Sequence, residues 1–182
     1  MKEGIHMRIP KVATFEWVSF GQFSKDMKNA DPSFAMNPEF IHKAFEKVHL
    51  PTLATIGSAG HDFYLPSGIR LKPGETALIP TGIRAKIERG WVLMIFPRSS
   101  LGFKYRVQLD NTVGIIDSDY YDSDNEGHIM IKITNDSKTE RELCLEAGDR
   151  FAQGLFIPYG IASNGISMET GTRTGGFGST GK

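Results

Sequence analysis

The most restrictive feature of this chain is the way glycine and proline divide everything after about residue 53 into short pieces. The pieces are apolar or alternating runs, which suit strands better than helices, and Gly or Pro between them is typical of turns. The runs are Thr76–Ile87, Trp91–Phe96, Arg106–Leu109, His128–Thr134 and Arg150–Ile157, separated by Pro73-Gly74, Gly90, Gly102, Gly114, Gly127 and Gly148. Many short strands and few helical stretches predict an all-β sandwich, jelly roll or barrel.

Residues 7 to about 50 have a different pattern. Apolar residues recur there at helical spacing, at Phe40, Ile41, Ala44, Phe45 and Val48. Pro38 falls in the first turn of this stretch and Pro51 lies beyond its end, which brackets a short amphipathic helix. We expect its apolar stripe to pack on the β domain. Met7 serves as well as Met1 for a natural start, so residues 1–6 are left out of this prediction.

Charge and apolar runs restrict the partners. The chain has 21 Lys and Arg against 21 Asp and Glu, so no net field draws it to nucleic acid or an anionic membrane. No apolar run approaches the roughly 18 residues of a spanning helix, and the start lacks a signal-peptide pattern. We therefore expect a cytoplasmic protein without nucleic-acid or membrane partners. The single cysteine, Cys144, lies between two leucines and is predicted to be a buried, inert thiol.

Five polar, glycine-containing segments stand out from the strand pattern. In chain order they are Ala59–Asp62, Pro97–Gly102, Asn111–Tyr120, Gly148–Gln153 and Arg173–Gly181. In that order they resemble the five motifs of the trimeric dUTPase family, over about residues 53–181. The resemblance implies a jelly-roll, β-clip barrel with a short N-terminal helical extension (1–50), a β domain (51–165) and a flexible glycine-rich C-terminal arm (166–182).

The resemblance also implies an activity. Members of the family are dUTP diphosphatases, which hydrolyse dUTP to dUMP and pyrophosphate and so supply dUMP for thymidylate synthesis. Hydrolysis of a phosphoanhydride needs a water aimed in line and a base that takes its proton. Asp117 follows the apolar pair Ile115-Ile116, and a carboxylate of ordinary pKa, about 3.9, is ionised at neutral pH. The family aspartate at this place orients the attacking water, so Asp117 is the expected catalytic residue.

Base and sugar recognition are expected from the same segment. Uracil presents one N–H donor between two carbonyl acceptors, an edge that backbone groups and one side-chain amide of a hairpin can read. The resemblance assigns this role to Asn111 and to the backbone of Ile115 and Ile116, with Gly114 allowing close approach. Tyr120 matches the family tyrosine that lies under the deoxyribose, where a 2′-hydroxyl would clash.

Phosphate contacts are expected from other segments. Arg98 suits bidentate contact with a phosphate, and Ser99 and Ser100 offer hydroxyls and turn amides. Gln153 matches a phosphate-binding glutamine of the family. Asp62 and Asp149 match its acidic positions, for which an internal ion pair with arginine and a part in organising metal-bound water are both open.

The glycine-rich C-terminal arm is expected to close over a neighbouring subunit's site. In the family the arm stacks a phenylalanine on uracil, here Phe177, and grips the γ-phosphate with an arginine, here Arg173. Gly178 and Ser179 would supply further donors. Most members have one more residue between the arginine and Gly-Gly-Phe, so Arg173 stands one position late. Enclosure of this kind expels water and fixes the triphosphate.

The segment 121–126 departs from the shorter family pattern after the tyrosine. Its three carboxylates lack the twelve-residue ligand pattern of a calcium loop, so we interpret it as a solvated hairpin insertion.

The metal and the assembly are expected from the resemblance. Mg²⁺ prefers phosphate oxygens and water, so it is expected to arrive with the triphosphate and to have no direct protein ligand. The assembly is expected to be a homotrimer with shared active sites.

Two alternative functions stay open. One is a dCTP deaminase, a fold relative with a similar Arg-Ser-Ser signature, although its glutamate is missing from His128–Asn135. The other is a nucleotide-responsive trimer that regulates a protein partner, with the N-terminal extension as a docking surface.

Overall fold

The computed structural model describes residues 9–164, which form a predominantly β body with helices near its N-terminal end. The strands are β1 (Ala13–Trp17), β2 (Thr52–Leu53), β3 (His61–Tyr64), β4 (Ile69–Leu71), β5 (Thr76–Pro80), β6 (Ile83–Ile87), β7 (Trp91–Pro97), β8 (Val107–Leu109), β9 (Gly114–Ile116), β10 (Met130–Asn135), β11 (Leu143–Leu145) and β12 (Arg150–Pro158). The helices are α1 (Phe20–Ala30), α2 (Pro38–Glu46) and α3 (Ser99–Tyr105), with 3₁₀ turns at Pro32–Met36 and Ser118–Asp122.

The strands form two larger antiparallel sheets and two paired ribbons. The larger sheets have the strand orders β2-β3-β12-β7-β9 and β5-β10-β8, and the ribbons are β1-β6 and β11-β4. One apolar core contains side chains from both larger sheets, including Leu93 and Ile95 of β7 and Ile131 and Ile133 of β10. These residues alternate along their strands because successive strand side chains point to opposite faces. The all-β prediction is confirmed.

The N-terminal extension contains more structure than the sequence predicted. The predicted helix is present as α2, with Asn37 accepting the Phe40 N–H at its start and Ile41 and Ala44 buried. The sequence did not predict β1, which pairs with β6 from Ala13↔Ile87 to Trp17↔Ile83. Nor did it predict α1. The extension is therefore joined to the β body by a ladder of backbone hydrogen bonds as well as by an apolar stripe.

The interpretation of residues 121–126 as a solvated insertion was wrong. Glu126 accepts hydrogen bonds from the backbone N–H and the hydroxyl of Ser19, both at 2.7 Å, at the start of α1. The Tyr121 hydroxyl donates to Glu16 of β1 at 2.7 Å, and the Arg84 guanidinium lies 4.4 Å from the Tyr121 ring centre. The backbone N–H of Ser19, with its hydroxyl, holds the pKa of Glu126 below its usual value. The loop is thus docked on the N-terminal extension and is not free in solvent.

A buried polar network makes a second connection between the same two parts. His128 is fully buried, and its Nδ1 lies 2.6 Å from the Asp26 carboxylate of α1. The Gln22 amide donates to the same carboxylate at 2.7 Å, and the Gly82 N–H donates to His128 Nε2 at 2.8 Å. Because Nε2 accepts, the ring hydrogen is assigned to Nδ1, which donates to Asp26.

The prediction of a buried Cys144 was also wrong. Leu143 of β11 is fully buried, and the alternation along the strand turns the next side chain, Cys144, to the exposed face. Within residues 9–164, none of the helices is long and apolar enough to cross a bilayer.

Candidate functional site

The predicted base-reading segment connects the two larger sheets. β8 ends at Leu109 and pairs with β10, whereas β9 starts at Gly114 and pairs with β7, so these flanking strands do not form the regular hairpin we predicted. Between them the chain turns through Thr112, whose φ is 68°, and the Val113 N–H donates to the Asn111 carbonyl at 2.7 Å. Asn111 and Thr112 are exposed at this turn.

β9 lies at the edge of the five-stranded sheet, with β7 on one side. In an antiparallel pair, half of the backbone N–H and C=O groups of an edge strand point away from its neighbour. A Cβ at Gly114 would lie 3.1 Å from the Ile95 Cβ, so glycine permits the close packing of β9 on β7. The outward backbone groups of Gly114–Ile116 are placed to bind a planar polar edge.

A cavity of about 440 Å³ opens beside this edge. Its walls are largely aliphatic and come from β5, β7, β8, β9 and β10, with polar groups from the connecting segments. They are Leu78, Ile95, Leu109, Asp110, Asn111, Gly114, Asn125, Met130, Ile131 and Lys132. Two of the predicted residues, Asn111 and Gly114, therefore share one cavity, and its size suits a nucleobase with part of its sugar.

Sequence reasoning missed several residues of this cavity. Met130 and Ile131 are contributed by β10, and Asn125 comes from the loop taken for a solvated insertion. At the rim, Lys132 pairs with Asp110 at 3.0 Å, and a hydrogen bond from the Thr134 hydroxyl holds the pKa of Asp110 below its usual value. The apolar alternation of β10 predicted a strand, but nothing in the sequence indicated that the first residues of this strand line the cavity.

Asp117 and Tyr120 follow directly after β9. Asp117 is exposed at the start of the 3₁₀ turn Ser118–Asp122, and its carbonyl accepts the Tyr120 N–H at 3.2 Å. Tyr120 is 2% exposed, and its hydroxyl donates to the His128 carbonyl at 2.8 Å. The turn therefore buries the tyrosine, whereas Asp117 is exposed directly after the edge strand.

The predicted phosphate-binding residues form a second cluster, centred on Asp62. Its carboxylate, 6% exposed as a residue, lies 3.2 Å from Arg98 Nε and 3.1 Å from Arg150 Nη1. Arg98 also donates to the Arg150 carbonyl at 3.4 Å. Asp62 thus has the arginine partners that one of our two interpretations required. Asp149 instead accepts the Glu146 backbone N–H at 2.8 Å in a turn.

An open pocket of about 650 Å³ lies over this second cluster. Arg98, Ser99 and Gln153 line it, and the Gln153 amide donates to the Pro97 carbonyl at 3.3 Å. Ser99 and Ser100 form the first turn of α3 and are both exposed. The structure therefore brings three of the predicted phosphate contacts to one pocket.

The two pockets lie on opposite faces of β7. Ile95 lines the base-sized cavity, whereas the next residue, Phe96, lines the pocket of Arg98. Successive strand side chains point to opposite faces, so the two pockets meet β7 from different sides.

The arm residues Arg173, Phe177, Gly178 and Ser179 lie outside residues 9–164, as do residues 1–8. Within the described range, no group of three or more His, Cys, Asp or Glu side chains is arranged to hold a metal ion.

Comparison with known proteins shows that the chain is similar to members of one family. The model of the dUTPase family matches residues 46–181. A deoxyuridine 5′-triphosphate nucleotidohydrolase of Lactococcus lactis is 42% identical over 135 residues, which cover 74% of this chain and 89% of that one. The protein of the same name from Paraburkholderia phytofirmans is 44% identical over 139 residues, covering 73% and 89%.

Solved structures agree. A dUTPase from Streptococcus mutans is similar with a TM-score of 0.56 at 38% identity, covering 64% of this chain and 90% of that one. A mutant dUTPase from phage phi11 of S. aureus, described with a structural Mg(II) ion, has a TM-score of 0.60 at 18% identity. It covers 88% of this chain and 99% of that one, and at this identity it shows the fold alone.

Proposed function

The chain belongs to the dUTPase family, and from that premise we propose that it hydrolyses dUTP to dUMP and pyrophosphate with Asp117 orienting the attacking water. The observation that carries the residue assignment is the placement of Asn111 and Gly114 in one cavity, with Asp117 exposed at the end of the same edge strand. The base and the reacting phosphorus would then both meet groups of one short segment, residues 111–117.

Base selection would come from the edge of β9. The backbone of Ile115 and Ile116 and the amide of Asn111 offer donors and acceptors that match uracil. Cytosine presents the reverse pattern at N3 and its amino group, so these fixed groups would be left unpaired. The aliphatic walls around Ile95 and Met130 would leave no room for the methyl group of thymine.

The chemical step would use the carboxylate of Asp117. An ionised carboxylate can accept a hydrogen bond from a water and take its proton as the oxygen attacks the α-phosphorus in line. The pyrophosphate then leaves on the opposite side. Tyr120 follows the edge strand closely in the chain, and its burial with a bound hydroxyl supports its role as a fixed floor of the deoxyribose site.

Phosphates would be held by Arg98, Ser99, Ser100 and Gln153. The acidic residues nearby already have partners, since Asp62 pairs with two arginines and Asp149 accepts a backbone N–H. Because these carboxylates are paired, the site fits an Mg²⁺ ion that is coordinated by the triphosphate and by water. The ion would neutralise phosphate charge, while the side chains of this chain position the phosphates.

The assembly we propose is a homotrimer in which each site combines residues of different subunits. The separation of the two pockets across β7 supports this arrangement, because Arg98 and Gly114 of one chain line different pockets. The C-terminal arm, with Arg173, Phe177, Gly178 and Ser179, would close the site. The single cysteine agrees with a reducing, cytoplasmic compartment.

Removing the carboxylate that orients Arg98 gives a prediction for the phosphate cluster. Asp62→Ala is expected to lower kcat/KM for dUTP about 10- to 100-fold, the range for a lost hydrogen bond to a charged group. Arg98 and Arg150 would lose their common partner and repel one another. Steady-state kinetics test this, with Asp136→Ala as the control, because Asp136 also pairs with two cations, Arg106 and Lys138, and lines neither pocket. Equal losses in the two variants would contradict the assignment.

The activity itself is tested by pyrophosphate release from each of the four common dNTPs and dUTP in Mg²⁺ buffer. Turnover confined to dUTP is expected. Release of ammonia from dCTP would instead indicate a deaminase, and the absence of turnover with tight dUTP binding would indicate a regulatory protein.

A further inference from the structure

We infer that Asn125 is a positioning residue that sets the discrimination between deoxyribo- and ribonucleotides by fixing Tyr120. The inference rests on the proposed function, in which Tyr120 forms the floor of the sugar site. Asn125 comes from the loop 121–126, which has no counterpart in the shorter family pattern after the tyrosine. The residue also lines the cavity that contains Asn111 and Gly114.

The hydrogen bonds of Asn125 converge on the tyrosine hydroxyl. Its amide Nδ2 donates to Tyr120 Oη at 2.8 Å and to the His128 carbonyl at 3.2 Å. The same hydroxyl donates to that carbonyl at 2.8 Å. Tyr120 Oη therefore acts both as a donor and as an acceptor. These two hydrogen bonds fix the hydroxyl end of the ring, in addition to the backbone of Tyr120.

Asn125 is itself held in place. Its Oδ1, at 2.8 Å, and the Tyr120 carbonyl, at 2.7 Å, share the single hydrogen of the Ser123 hydroxyl. Ser123 is 4% exposed. The next residue, Glu126, is bound to Ser19 at the start of α1. The N-terminal extension thus holds the Asn125 amide in position before a ligand binds.

The loop has little room to shift. Gly127 has a φ of 67°, and a Cβ there would lie 2.7 Å from the Tyr121 Cα. The following residue, His128, has its side chain fixed between Asp26 and the Gly82 N–H. The His128 carbonyl accepts hydrogen bonds from both Asn125 and Tyr120. The buried network that fixes His128 therefore also fixes the Tyr120 hydroxyl.

A rigid tyrosine is what exclusion of a 2′-hydroxyl requires. A fixed side chain rejects the larger sugar because the clash is relieved only by moving the ring or the ligand. If the ring gains freedom, a ribonucleotide gains access while the deoxyribonucleotide loses part of its packing. The ratio of kcat/KM for dUTP to kcat/KM for UTP therefore measures how firmly Tyr120 is held.

The test compares that ratio in the full-length enzyme and in Asn125→Ala. We expect the ratio to fall about three- to tenfold, the effect of one net hydrogen bond. Tyr120→Phe removes only the hydroxyl and is expected to give a similar fall. In the Tyr120→Phe background, Asn125→Ala should then have no further effect on the ratio, because the amide no longer binds the side chain at position 120. Asp124→Ala, an exposed carboxylate of the same loop, is the control and should leave the ratio unchanged.

The outcomes separate the possibilities. An unchanged ratio in Asn125→Ala, even with lower thermal stability, would show a purely structural residue and overturn the inference. Equal falls in the ratio with and without the Tyr120 hydroxyl would overturn it as well. If Asn125→Ala does not fold, Tyr120→Phe decides, since an unchanged ratio there removes the hydroxyl from discrimination. Failure of the wild-type enzyme to hydrolyse dUTP would instead contradict the proposed function.

Discussion

Asp117→Asn is expected to lower kcat for dUTP about a thousandfold while changing nucleotide affinity by no more than a few fold. General base catalysis contributes about 10²- to 10⁴-fold, and an amide of the same shape does not accept the proton of the attacking water. The base is read elsewhere, by Asn111 and the backbone of β9, so binding does not depend on the carboxylate. Asp117 is exposed, and asparagine keeps the size and shape of its side chain.

Single-turnover pyrophosphate release and equilibrium binding of a non-hydrolysable dUTP analogue would measure the two effects separately. Asp122→Asn is a matched control, because Asp122 is an exposed carboxylate at the end of the same 3₁₀ turn. It is expected to keep wild-type turnover. A variant at position 117 that retains more than about a tenth of the wild-type kcat would exclude Asp117 as the base.

The sequence allowed prediction of those parts of the fold that depend on local patterns. A continuous apolar run predicted β7 and an alternating run predicted β10. Apolar residues at helical spacing between Pro38 and Pro51 predicted α2, because side-chain period and proline geometry act within a few residues. The candidate site was predictable through the order of its motifs. Asp62, Arg98 and Gln153 come from three separate segments, and the structure places them at one cluster.

The parts that the sequence did not predict depend on long-range contacts. β8 pairs with β10 and β9 pairs with β7, so the pairing of both strands is decided by partners in other parts of the chain. The glycine-containing turn between β8 and β9 therefore led us to predict a hairpin that is absent from the described residues. The burial of Cys144 was predicted from its leucine neighbours, whereas the position of β11 on β4 decides which face is exposed. Asn125 was assigned to solvent because its loop docks on the start of α1, which is distant in the chain. Only in the folded chain does this contact hold Asn125 beside Tyr120.

The largest stability effect is expected at the network that joins the N-terminal extension to the β body. Asp26→Ala leaves the His128 Nδ1–H and the Gln22 amide without the carboxylate that both now contact. Each buried donor left without a partner costs about 1–3 kcal/mol, and two donors lose theirs beside Asp26, which is only 8% exposed. Taking about 3 kcal/mol, the midpoint of thermal unfolding should fall by about 6–12 °C for a chain of this size.

Denaturation with urea at a fixed protein concentration would test this, because oligomer stability depends on concentration. Lys28→Ala, at an exposed position of the same helix, is the control and should change the free energy of unfolding by less than about 0.5 kcal/mol. A loss of similar size in both variants would show that α1, and not the Asp26–His128 pair, was disturbed.

The pH dependence of the unfolding free energy provides an independent test of the contribution of the Asp26 carboxylate. Burial alone would raise the pKa of Asp26, but the hydrogen bonds from His128 and Gln22 outweigh it and hold the pKa below 3.8. A carboxyl whose pKa is lower in the folded state stabilises that state above the unfolded pKa, and this contribution disappears as the pH falls through the folded value. The difference in unfolding free energy between wild type and Asp26→Asn should therefore be constant above about pH 5 and shrink below about pH 4. A difference that grows on acidification would mean that the carboxylate does not stabilise the fold in its ionised form.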